Sequence, residues 1–538
     1  MSYDREDPLA KSVLERWERM KTDRSTYERN WQDIRDLVRP SAADFNRQTT
    51  PGDSRSDSIY DGTAKQASEE LAGAVHSHLT NPVDRWFGLA VEDMDAIADD
   101  PDALAWLELV ADIIYQEYAH ARSRFSPSIR EAYLDVVAFG TCILNQEWNA
   151  KTGHLLFRTF SLASNYLDIN SDGDIDVDFR HMKWDKRQLE QAFGFDALPR
   201  KVQEERTAST KWDVLHAVYP REDRDMKKVD DKNMPYASVW VLPECCYTVK
   251  EGGYDSFPYH PGRWMTVAEE TYGYSPAHMC LPDIRMLNRV DFTMIKAAQK
   301  ATDPSIWIPN DGVMLPIKTS PGSINYYENG MEEPFRVMEH KGNFPVGMEM
   351  SDRKREMIRK AFRLDWVEIT RKKERQTAFE LQQDEEENIR QMGPILGGLQ
   401  SDILHPAIAR SYLLLKQHGK IPPAPEGLNK RVLRIVYVSP AARAQKATKA
   451  ISIGRWMQDI AVLMQAAPEV ADAVDLDAAA QELAIAREVP RRVVRSPEAV
   501  AARRQQREMQ TMIAASEPAS QSILNIAKAQ EAMASAAA

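Results

Sequence analysis

The sequence lacks the motifs on which most phosphate-transfer, hydrolase and zinc chemistry depends. It contains no Gly-rich loop of the G-x-x-x-x-G-K-[ST] kind and no G-x-G-x-x-G fingerprint, although such loops are the usual cradle for nucleotide phosphates. G-x-S-x-G and H-E-x-x-H, which mark nucleophile elbows and zinc helices, are absent as well. We therefore predict a protein that is not an enzyme and that uses no cofactor and no metal.

Cysteine and long apolar runs are also scarce. The cysteines are Cys142, Cys245, Cys246 and Cys280, and they show no C-x-x-C spacing and no nearby histidine cluster. We predict buried free thiols in a reducing compartment. The first residues form no signal-peptide pattern, and no apolar run approaches membrane-spanning length. A cytosolic protein that does not insert into membranes is expected.

Positive charge is in deficit, which restricts how the chain can bind nucleic acid. The formal net charge is -12 over 538 residues, and the 43% hydrophobic and 28% charged residues are typical of a soluble globular protein. This balance argues against tight wrapping of nucleic acid. It would suit the lining of a passage through which DNA slides, because like charges discourage contact.

One acidic segment is similar to a calcium-binding loop. Asp168 to Asp176 carries oxygen donors at alternate positions, with Gly173 at the sixth. Phe179 stands where the bidentate glutamate of such a loop belongs, and both flanks have strand patterns. We favour a hairpin turn, for which Asp-Gly is ordinary; a bound cation is the alternative.

The first half of the chain predicts helices followed by a mainly antiparallel sheet region. Apolar spacing indicates helices from Leu9 to Leu37, from Thr63 to Leu79, over 102–122 and over 127–138. From Gly140 to about Trp264 the period falls to two, with one or two helices inserted near 186–207. Because no flexible linker separates these parts, the fold class is α+β. Strands are predicted at 84–89, 142–144, 155–157, 166–169, 175–177, 214–218, 237–241, 246–249 and 432–438, with shorter candidates at 305–308 and 335–338.

The stretch from Ser275 to Gly419 organises the second half. A helix is predicted to open at Pro282 and another near Ser351, separated by a Pro- and Gly-rich insertion that excludes a long helix. A capping box at Thr377 begins a long helix, kinked at Gly-Pro and His-Pro steps, that ends at Gly419. The first helix carries a narrow apolar seam suited to packing beside another helix. Its residues are Leu287, Val290, Met294, Ala297 and Ala301.

Basic side chains cluster at two places in this stretch. Arg355, Arg359 and Arg363 recur at i, i+4 and i+8 and form a stripe on the second helix. A basic elbow just before the long helix consists of Arg371, Lys372, Lys373 and Arg375. Charged runs at helix ends are usually solvated and favoured by the macrodipole; contact with phosphate groups is the alternative.

Short segments spread over nearly the whole chain carry a family resemblance. They are Trp31–Ile34 with Pro40, Ile59–Ala64, Leu79–Pro82, Arg85–Phe87, Tyr272–Ala277, Leu281–Asn288, Gln376–Glu380 and Gly419–Pro422. In this order and spacing they resemble the head-to-tail connecting, or portal, proteins of short-tailed, T7-like bacteriophages (podoviruses). One departure is Gly273-Tyr274-Ser275-Pro276, where family members often have Gly-x-Gly-Pro.

The resemblance implies a portal fold with an α/β wing, paired stem helices, an irregular clip insertion and a helical C-terminal crown. It further implies a ring of about twelve identical subunits, a closed cyclic assembly, at one capsid vertex. Genomic DNA would enter and leave through its channel. The implied boundaries are 1–275 and 377–445 for the wing, 276–302 and 351–370 for the stem helices, 303–350 for the clip, 371–376 for the tunnel loop and 446–538 for the crown.

The resemblance also implies partners. Double-stranded genomic DNA would pass the tunnel loop, whose basic residues are those of the elbow at Arg371 to Arg375. Because the chain lacks a phosphate loop, the packaging ATPase would be a separate terminase that docks at the clip. A tail adaptor and tail tube proteins would later replace it, and scaffold and major capsid proteins would surround the ring. The implied location is the virion, at the head-tail junction, after assembly in the host cytoplasm.

A DNA-processing enzyme, such as a metal-dependent nuclease, is the alternative from another functional class. It would need a compact carboxylate cluster near a lysine to hold and use its metal ions. Glu385, Glu386 and Glu387 are the densest acidic run, and they fall on an exposed helix. The sequence therefore favours a structural protein over a nuclease.

Overall fold

The computed structural model describes most of the first two thirds of the chain and shorter parts of the remainder. The described residues are 7–47, 52, 57–82, 85–91, 100–207, 209–225, 227–228, 230–302, 306–307, 336–337, 344–364, 392–425, 428, 433–437, 452–460, 478–480, 483–484, 487, 500 and 503–507. They divide into two compact units. The first unit comprises Met1–Asp84 and Ile114–Ile421, and the second comprises Arg85–Ile113 and Pro422–Ala538.

The predicted N-terminal helices are confirmed. Helix α1 begins at Pro8, where a missing backbone N–H costs nothing, and Asp7 Oδ1 caps it by accepting from Leu9 N at 3.0 Å. Its apolar stripe, including Trp17 and Trp31, is buried. The bounds are α1 Pro8–Leu37, α2 Thr63–Leu79, α3 Pro101–Ala119 and α4 Phe125–Phe139.

The sheet region is antiparallel throughout its described pairings, as the period of two predicts. The bounds of its strands are β2 Thr141–Asn149, β3 His154–Phe160, β4 Asn165–Ile169, β5 Ile175–Asp185, β6 Lys211–Pro220, β7 Tyr236–Leu242, β8 Tyr247–Tyr254 and β9 Tyr259–Arg263. One sheet has the order β3-β2-β9 and the other the order β4-β5-β6-β7-β8. The α+β class is therefore confirmed.

Helix α1 supplies one half of the core beneath the five-stranded sheet. Val13 and Trp17 of α1 pack with Phe179, Leu215 and Val239 of the sheet, and all five side chains are buried. Each buried side chain of this size stabilises the fold by about 1.5–3 kcal/mol. A second cluster joins the other part of the sheet to the inserted helices α5 Lys186–Phe193 and α6 Arg200–Gln203, which confirms the helices predicted near 186–207.

The acidic segment from Asp168 to Asp176 is a hairpin turn. Asn170 N donates to Asp174 O at 2.9 Å, and β4 and β5 pair across the turn at Ile169 and Ile175. The Asp168 carboxylate accepts from Arg16 at 3.2 Å. These contacts confirm the hairpin that the sequence favours.

Two long helices of the second half begin earlier than the sequence predicts. Helix α7 spans Pro276–Thr302, so the predicted start at Pro282 is wrong. Ser275 caps the helix and Pro276 occupies its first position, and the internal Pro282 removes only one backbone hydrogen bond. Helix α8 spans Phe344–Ala361 rather than starting near Ser351, because Pro345 falls in the first turn, where its missing N–H is harmless.

The short strands within the insertion are confirmed as a pair. β10 Ile306–Trp307 pairs antiparallel with β11 Arg336–Val337. The rest of the insertion, including most of 303–343, lies outside the described residues. The long helix predicted from Thr377 is described only from residue 392, as α9 over 392–399.

A π-helical turn follows α9 and interrupts the regular helix just before His405-Pro406, one of the two predicted kink sites. It spans Gln400–Leu404 and leads directly into α10 His405–Gln417, with Pro406 in the first turn of α10. Ile403 of the π turn packs onto Gly262 of β9. A side chain at position 262 would collide with Ile403. Arg263 N donates to the Asp402 carboxylate at 3.3 Å. Gly419 ends the helix in the left-handed region at φ 67°, as predicted.

The second unit contains two paired strands, and the sequence does not predict their pairing. β1 Phe87–Val91 pairs antiparallel with β12 Leu433–Tyr437, in a register that sets Gly88 opposite Val436. The sequence predicts both strands, at 84–89 and 432–438, but not that they pair; the predicted first strand begins three residues before β1. Trp106 Nε1 donates to Pro422 O at 3.1 Å in the same unit. Most of 446–538 lies outside the described residues.

The prediction of buried free thiols is confirmed for two of the four cysteines. All four cysteines are free thiols; Cys142 and Cys280 are buried, but Cys245 and Cys246 are half-buried at a strand end. Burial raises the pKa of the Cys280 thiol to about 12.

No helix in the described part of the chain is long and apolar enough to cross a bilayer.

Candidate functional site

The base of the α7–α8 helix pair is anchored where α4 meets β2. Ser275 Oγ accepts from His278 N at 3.1 Å, which caps α7, and donates to Ala138 O at 2.7 Å. Gly273 N donates to Thr141 Oγ1 at 2.9 Å. The segment in which the sequence departs from the family pattern is therefore the one that fixes the start of α7.

Helices α7 and α8 form an antiparallel hairpin. Ser351 Oγ donates to Asp291 Oδ1 at 2.7 Å, and Lys354 Nζ donates to Asp283 Oδ1 at 2.6 Å, so the residue numbers on α7 fall as those on α8 rise. Gly347 lies against the Met294 side chain, which would have to move to admit a Cβ at this position. Close approach of this kind is one use of a glycine inside a helix.

A single guanidinium lies at the centre of a carboxylate cluster on this hairpin. Arg355 donates to Asp61 at 2.8 Å, to Asp291 at 2.7 Å and to Asp352 at 2.9 Å. We call this group the Arg355 cluster. It ties α8 to α7 and to the residues just before α2, and it leaves three carboxylates facing one guanidinium.

The hydrogen bonds between Arg355 and Asp61 shift the pKa values of both groups so that the charged forms are favoured. Burial alone would raise the pKa of Asp61, but hydrogen bonds from Arg355 and Thr63 outweigh it and the pKa lies below its ordinary value. The hydrogen bond to Asp61 is the main reason that the pKa of Arg355 is raised. Both groups are therefore charged at neutral pH.

Burial decreases along the hairpin away from its base. The last buried residue of α7 is Leu287, and on the predicted seam Val290, Met294 and Ala297 are half-buried while Ala301 is exposed. Several large apolar side chains of the hairpin are exposed. They are Met279, Met286, Ile295, Val346, Met348 and Met357.

The sequence-predicted basic residues differ in their surroundings. Arg355 is occupied by the carboxylates of its cluster, whereas Arg359 and Arg363 are exposed. Arg363 follows the end of α8 with a left-handed φ of 52°. The tunnel-loop residues Arg371, Lys372, Lys373 and Arg375 lie outside the described residues, so their predicted role stays a prediction.

Asp61, Asp291 and Asp352 are the members of this site that the sequence does not single out. Asp61 belongs to the Asp-Gly-Thr sequence at the start of α2, where its Oδ1 accepts from Thr63 N at 2.8 Å. Its other oxygen reaches a helix almost three hundred positions later, a pairing with no local signal. Among the described residues no group of three or more His, Cys, Asp or Glu side chains is arranged to hold a metal ion.

Several titratable groups are instead enclosed in the sheets. Burial raises the pKa of Asp178 to about 7, although Asn165 Nδ2 donates to both of its oxygens at 2.8 and 3.0 Å. Burial lowers the pKa of His216 to about 3, and its Nδ1 lies 3.1 Å from Tyr259 Oη. These side chains are fully buried, so they serve the packing of the sheet and are not accessible to a substrate.

Comparison with known proteins identifies relatives over most of the chain. The family model described as bacteriophage head to tail connecting protein matches residues 10–494. The chain is 28% identical over 484 residues to the probable portal protein of Bordetella phage BPP-1 and 27% identical over 489 residues to the portal protein of Salmonella phage epsilon15. Each alignment covers 87% of this chain and 85% of the relative. The portal protein of Escherichia phage T7 is 22% identical over 435 residues, which is 78% of this chain and 76% of that protein.

Proposed function

Because the chain belongs to the bacteriophage head to tail connecting protein family, we propose that it forms a ring at one capsid vertex through which genomic DNA is packaged and ejected. The observation that carries the proposal is the family match over residues 10–494 together with portal proteins as relatives along nearly their full length. A dodecamer is the expected subunit number, in a closed cyclic assembly. The relatives give no support to the nuclease alternative.

The α7–α8 hairpin supports the assignment of the stem. Its two helices are held together by ion pairs and hydrogen bonds at their facing sides, yet α7 buries no side chain beyond Leu287. A rigid hairpin that keeps large apolar side chains exposed is suited to contacts with further copies. The wing would then comprise the helices and sheets of residues 1–275 with 377–445, and the crown would comprise residues 446–538.

The proposed channel contacts and docking partners come from the family resemblance. Residues 371–376 would form the tunnel loop that touches double-stranded DNA. Arg359 on α8 and Arg363 just beyond its end would continue the positive charge of this loop. Residues 303–350 would form the clip, to which a terminase and later a tail adaptor with tail tube proteins would dock. The protein would be a virion component, assembled in the host cytoplasm with scaffold and major capsid proteins. It would act structurally, while the terminase supplies ATP hydrolysis.

Electron microscopy of the purified protein tests the ring directly. Negative-stain images should show rings with a central hole, and light scattering should give the mass of a large oligomer. Compact particles of monomer mass at micromolar concentration would overturn the proposal. ATP hydrolysis or DNA cleavage that co-purifies with the rings would contradict the non-enzymatic part of it.

A clip deletion tests partner docking separately from ring formation. A variant that lacks residues 312–330 should still form rings, because the deleted stretch lies between the two stem helices. It should fail to bind terminase or adaptor, since loops carry partner contacts that rigid helices position. Rings that package DNA and join tails without this stretch would show that the clip is assigned wrongly.

A further inference from the structure

The two long sides of the α7–α8 hairpin differ, and contacts in the structure define one of them. Tyr60 N donates to Asn288 Oδ1 at 2.7 Å, and the Tyr60 ring packs on Phe292 with 4.7 Å between centroids. Asp61 accepts from Arg355 at 2.8 Å. Asn288 on α7 and Arg355 on α8 therefore mark the side that residues 57–61 cover, which we call the segment side.

The opposite side carries exposed apolar residues from both helices. Because an α-helix turns by about 100° per residue, residues two or nine positions apart lie roughly half a turn from each other. Met279 and Met286 precede Asn288 by nine and two positions, and Val346 and Met357 have the same spacings from Arg355. Their exposed fractions are 56%, 42%, 57% and 44%. We call this side the methionine side.

The segment side also exposes apolar residues, and they lie at the same level of the hairpin. Ile295 and Met348 lie seven positions, or two turns, from Asn288 and Arg355 respectively, and their exposed fractions are 43% and 60%. The packing of Gly347 on Met294 fixes the level at which Ile295 and Met348 stand. Val346 of the methionine side stands at that same level.

The charges of the two sides are complementary at a second level. On the segment side, Asp61, Asp291 and Asp352 surround Arg355, so that negative charge is in excess. Arg353 is exposed and lies two positions before Arg355, about half a turn away, which places it on the methionine side. One turn of α8 thus carries an excess of negative charge on one side and positive charge on the other.

Cyclic symmetry gives this arrangement a consequence. Copies in a ring are related by rotation alone, so a residue keeps its height along the ring axis from one copy to the next, and two different surfaces meet at each interface. The hairpin has apolar residues on both sides at one level and opposite charges on both sides at another. Exposed apolar side chains mixed with both signs of charge fit a protein surface better than a phosphate backbone, which requires a basic one.

We propose that the methionine side of each α7–α8 hairpin packs against the segment side of the same hairpin in a second copy of this chain. Val346 covers Ile295 and Met348 of the neighbour, and Arg353 pairs with the carboxylates of the neighbour's Arg355 cluster. The proposal rests on the ring assembly of the proposed function, because a head-to-tail contact of this kind closes only in a ring. It specifies which surfaces of the chain meet.

Charge exchange within the hairpin tests the pairing. R353E should lose the large oligomer, because both sides of the interface would then be acidic at this level. D352R should weaken it as well, because the new guanidinium would face the neighbour's Arg353 and the segment side would lose its excess of negative charge. Arg355 keeps Asp61 and Asp291 in that variant. The double variant R353E/D352R exchanges the charges at positions 352 and 353 and restores an opposite-charge contact between neighbours, so it should regain the large oligomer.

Mixing the two single variants provides a stricter form of the same test. In a mixture, the glutamate at 353 of an R353E copy would face the arginine at 352 of a D352R copy, and Arg353 of the D352R copy would face the intact Arg355 cluster of the R353E copy, so the mixture should form rings in which the two alternate. Mass photometry or light scattering measures assembly, and circular dichroism verifies that each variant is folded.

The outcomes separate this proposal from the ring itself. Single variants that form rings as readily as the wild type would overturn the assigned surface and leave the portal function intact. Folded single variants that lose the rings, with a folded double variant that does not regain them, would overturn the pairing too. A wild-type protein that forms no ring would instead refute the proposed function.

Discussion

Gly140 and Gly273 approach each other so closely that neither position has room for a side chain. A Cβ added to Gly273 would lie 2.5 Å from Gly140 O, and one added to Gly140 would lie 2.8 Å from Ser275 N. Gly140 also ends α4 in the left-handed region at φ 82°, and its carbonyl accepts from Trp264 N at 2.9 Å. This contact joins the end of α4 and the start of β2 to the segment that caps α7.

Alanine substitutions at two glycines measure how much a side chain at the Gly140–Gly273 contact would destabilise the protein. Gly140→Ala should lower the apparent Tm far more than Gly153→Ala, although both positions have positive φ, at 82° and 68°. Both alanines suffer the left-handed strain of about 1–2 kcal/mol, but only the alanine at 140 would meet backbone atoms, because Gly153 has nothing within 4 Å. Thermal melting followed by circular dichroism provides the measurement; equal shifts would mean that the crowding at Gly140 is relieved without cost.

Arg355→Met should destabilise the protein at neutral pH by about 1–2 kcal/mol. Removing one partner of a fully buried ion pair costs more, about 3–5 kcal/mol, but Arg355 is 38% exposed and solvent screens part of the loss. The variant leaves Asp61, Asp291 and Asp352 facing one another without the guanidinium. Urea unfolding measures the loss. Arg289→Met, at an exposed position of α7, is the matched control and should change stability much less.

The pH dependence of the same variant has a definite sign. In the wild type the pKa of Asp61 is lowered from 3.8, so its contribution to stability is present above that value and is lost as pH falls through the folded pKa. Without Arg355, burial would raise this pKa, and the contribution would instead be lost as pH rises. The difference in stability between wild type and variant should therefore shrink as the pH is lowered towards 3.8. A difference that is constant with pH would show that Arg355 acts by packing alone.

Asp178→Asn should stabilise the protein above neutral pH. Burial raises the pKa of Asp178 from 3.8 to about 7, so the wild type loses stability as pH rises between these values and reaches a plateau above them. Asparagine is uncharged and keeps an acceptor oxygen for Asn165, so the variant should not show this loss. The gain should amount to a few kcal/mol, since each pKa unit corresponds to about 1.36 kcal/mol.

A second buried aspartate provides the contrast for this prediction. Burial also raises the pKa of Asp135, to about 6, but its carboxylate is paired with Arg39. Asp135→Asn would leave that guanidinium without its charged partner, so it should destabilise the protein at neutral pH. Urea unfolding at several pH values distinguishes the two. A destabilised Asp178→Asn variant at pH 8 would mean that the folded carboxylate is stabilised by groups other than Asn165.

The sequence predicts local elements well because their signals are local. The stripe from Val13 to Trp31, the alternation from Gly140 and the Gly419 stop each act over a few residues, and the structure confirms all three. The wrong start of α7 has a local cause as well. Two prolines compete for its first turn, and the cap at Ser275 decides for Pro276.

The local hydrophobic pattern of the sequence does not predict which distant segments pair with each other. Nothing near Gly88 or Val436 indicates that their strands are partners, since any exposed strand edge offers the same backbone groups. Helix periodicity predicts the stripe of Arg355, Arg359 and Arg363, but α8 ends at Ala361, before Arg363. The carboxylates that occupy Arg355 come from α8 itself, from α7 and from the residues before α2. Hydrophobic and charge periodicity predicts which residues share one face of a helix. It does not predict which other segment contacts that face.

The basic elbow at Arg371, Lys372, Lys373 and Arg375 is the part of the proposed channel that can be tested by charge alone. Contacts with phosphate groups depend on salt and not on base sequence. Glu374 lies within the run and Glu380 follows it, so the grip on DNA would be weak enough for sliding. Lys227 and Lys228 offer a matched pair, because they are adjacent, exposed lysines in the connection between β6 and β7.

Changing Lys372 and Lys373 together to Ala should leave ring and capsid assembly normal and alter packaging efficiency or genome retention. The ring would repeat this charge around the passage, so the loss of two lysines per subunit removes many phosphate contacts at once, and the defect should vary with salt as counterion release requires. The Lys227/Lys228 double alanine variant carries the same charge change and should package like the wild type. Packaged DNA length and genome loss from filled heads, measured at several salt concentrations, provide the comparison. Wild-type packaging by the Lys372/Lys373 variant at every salt concentration would remove the DNA role from these lysines and leave the family assignment intact.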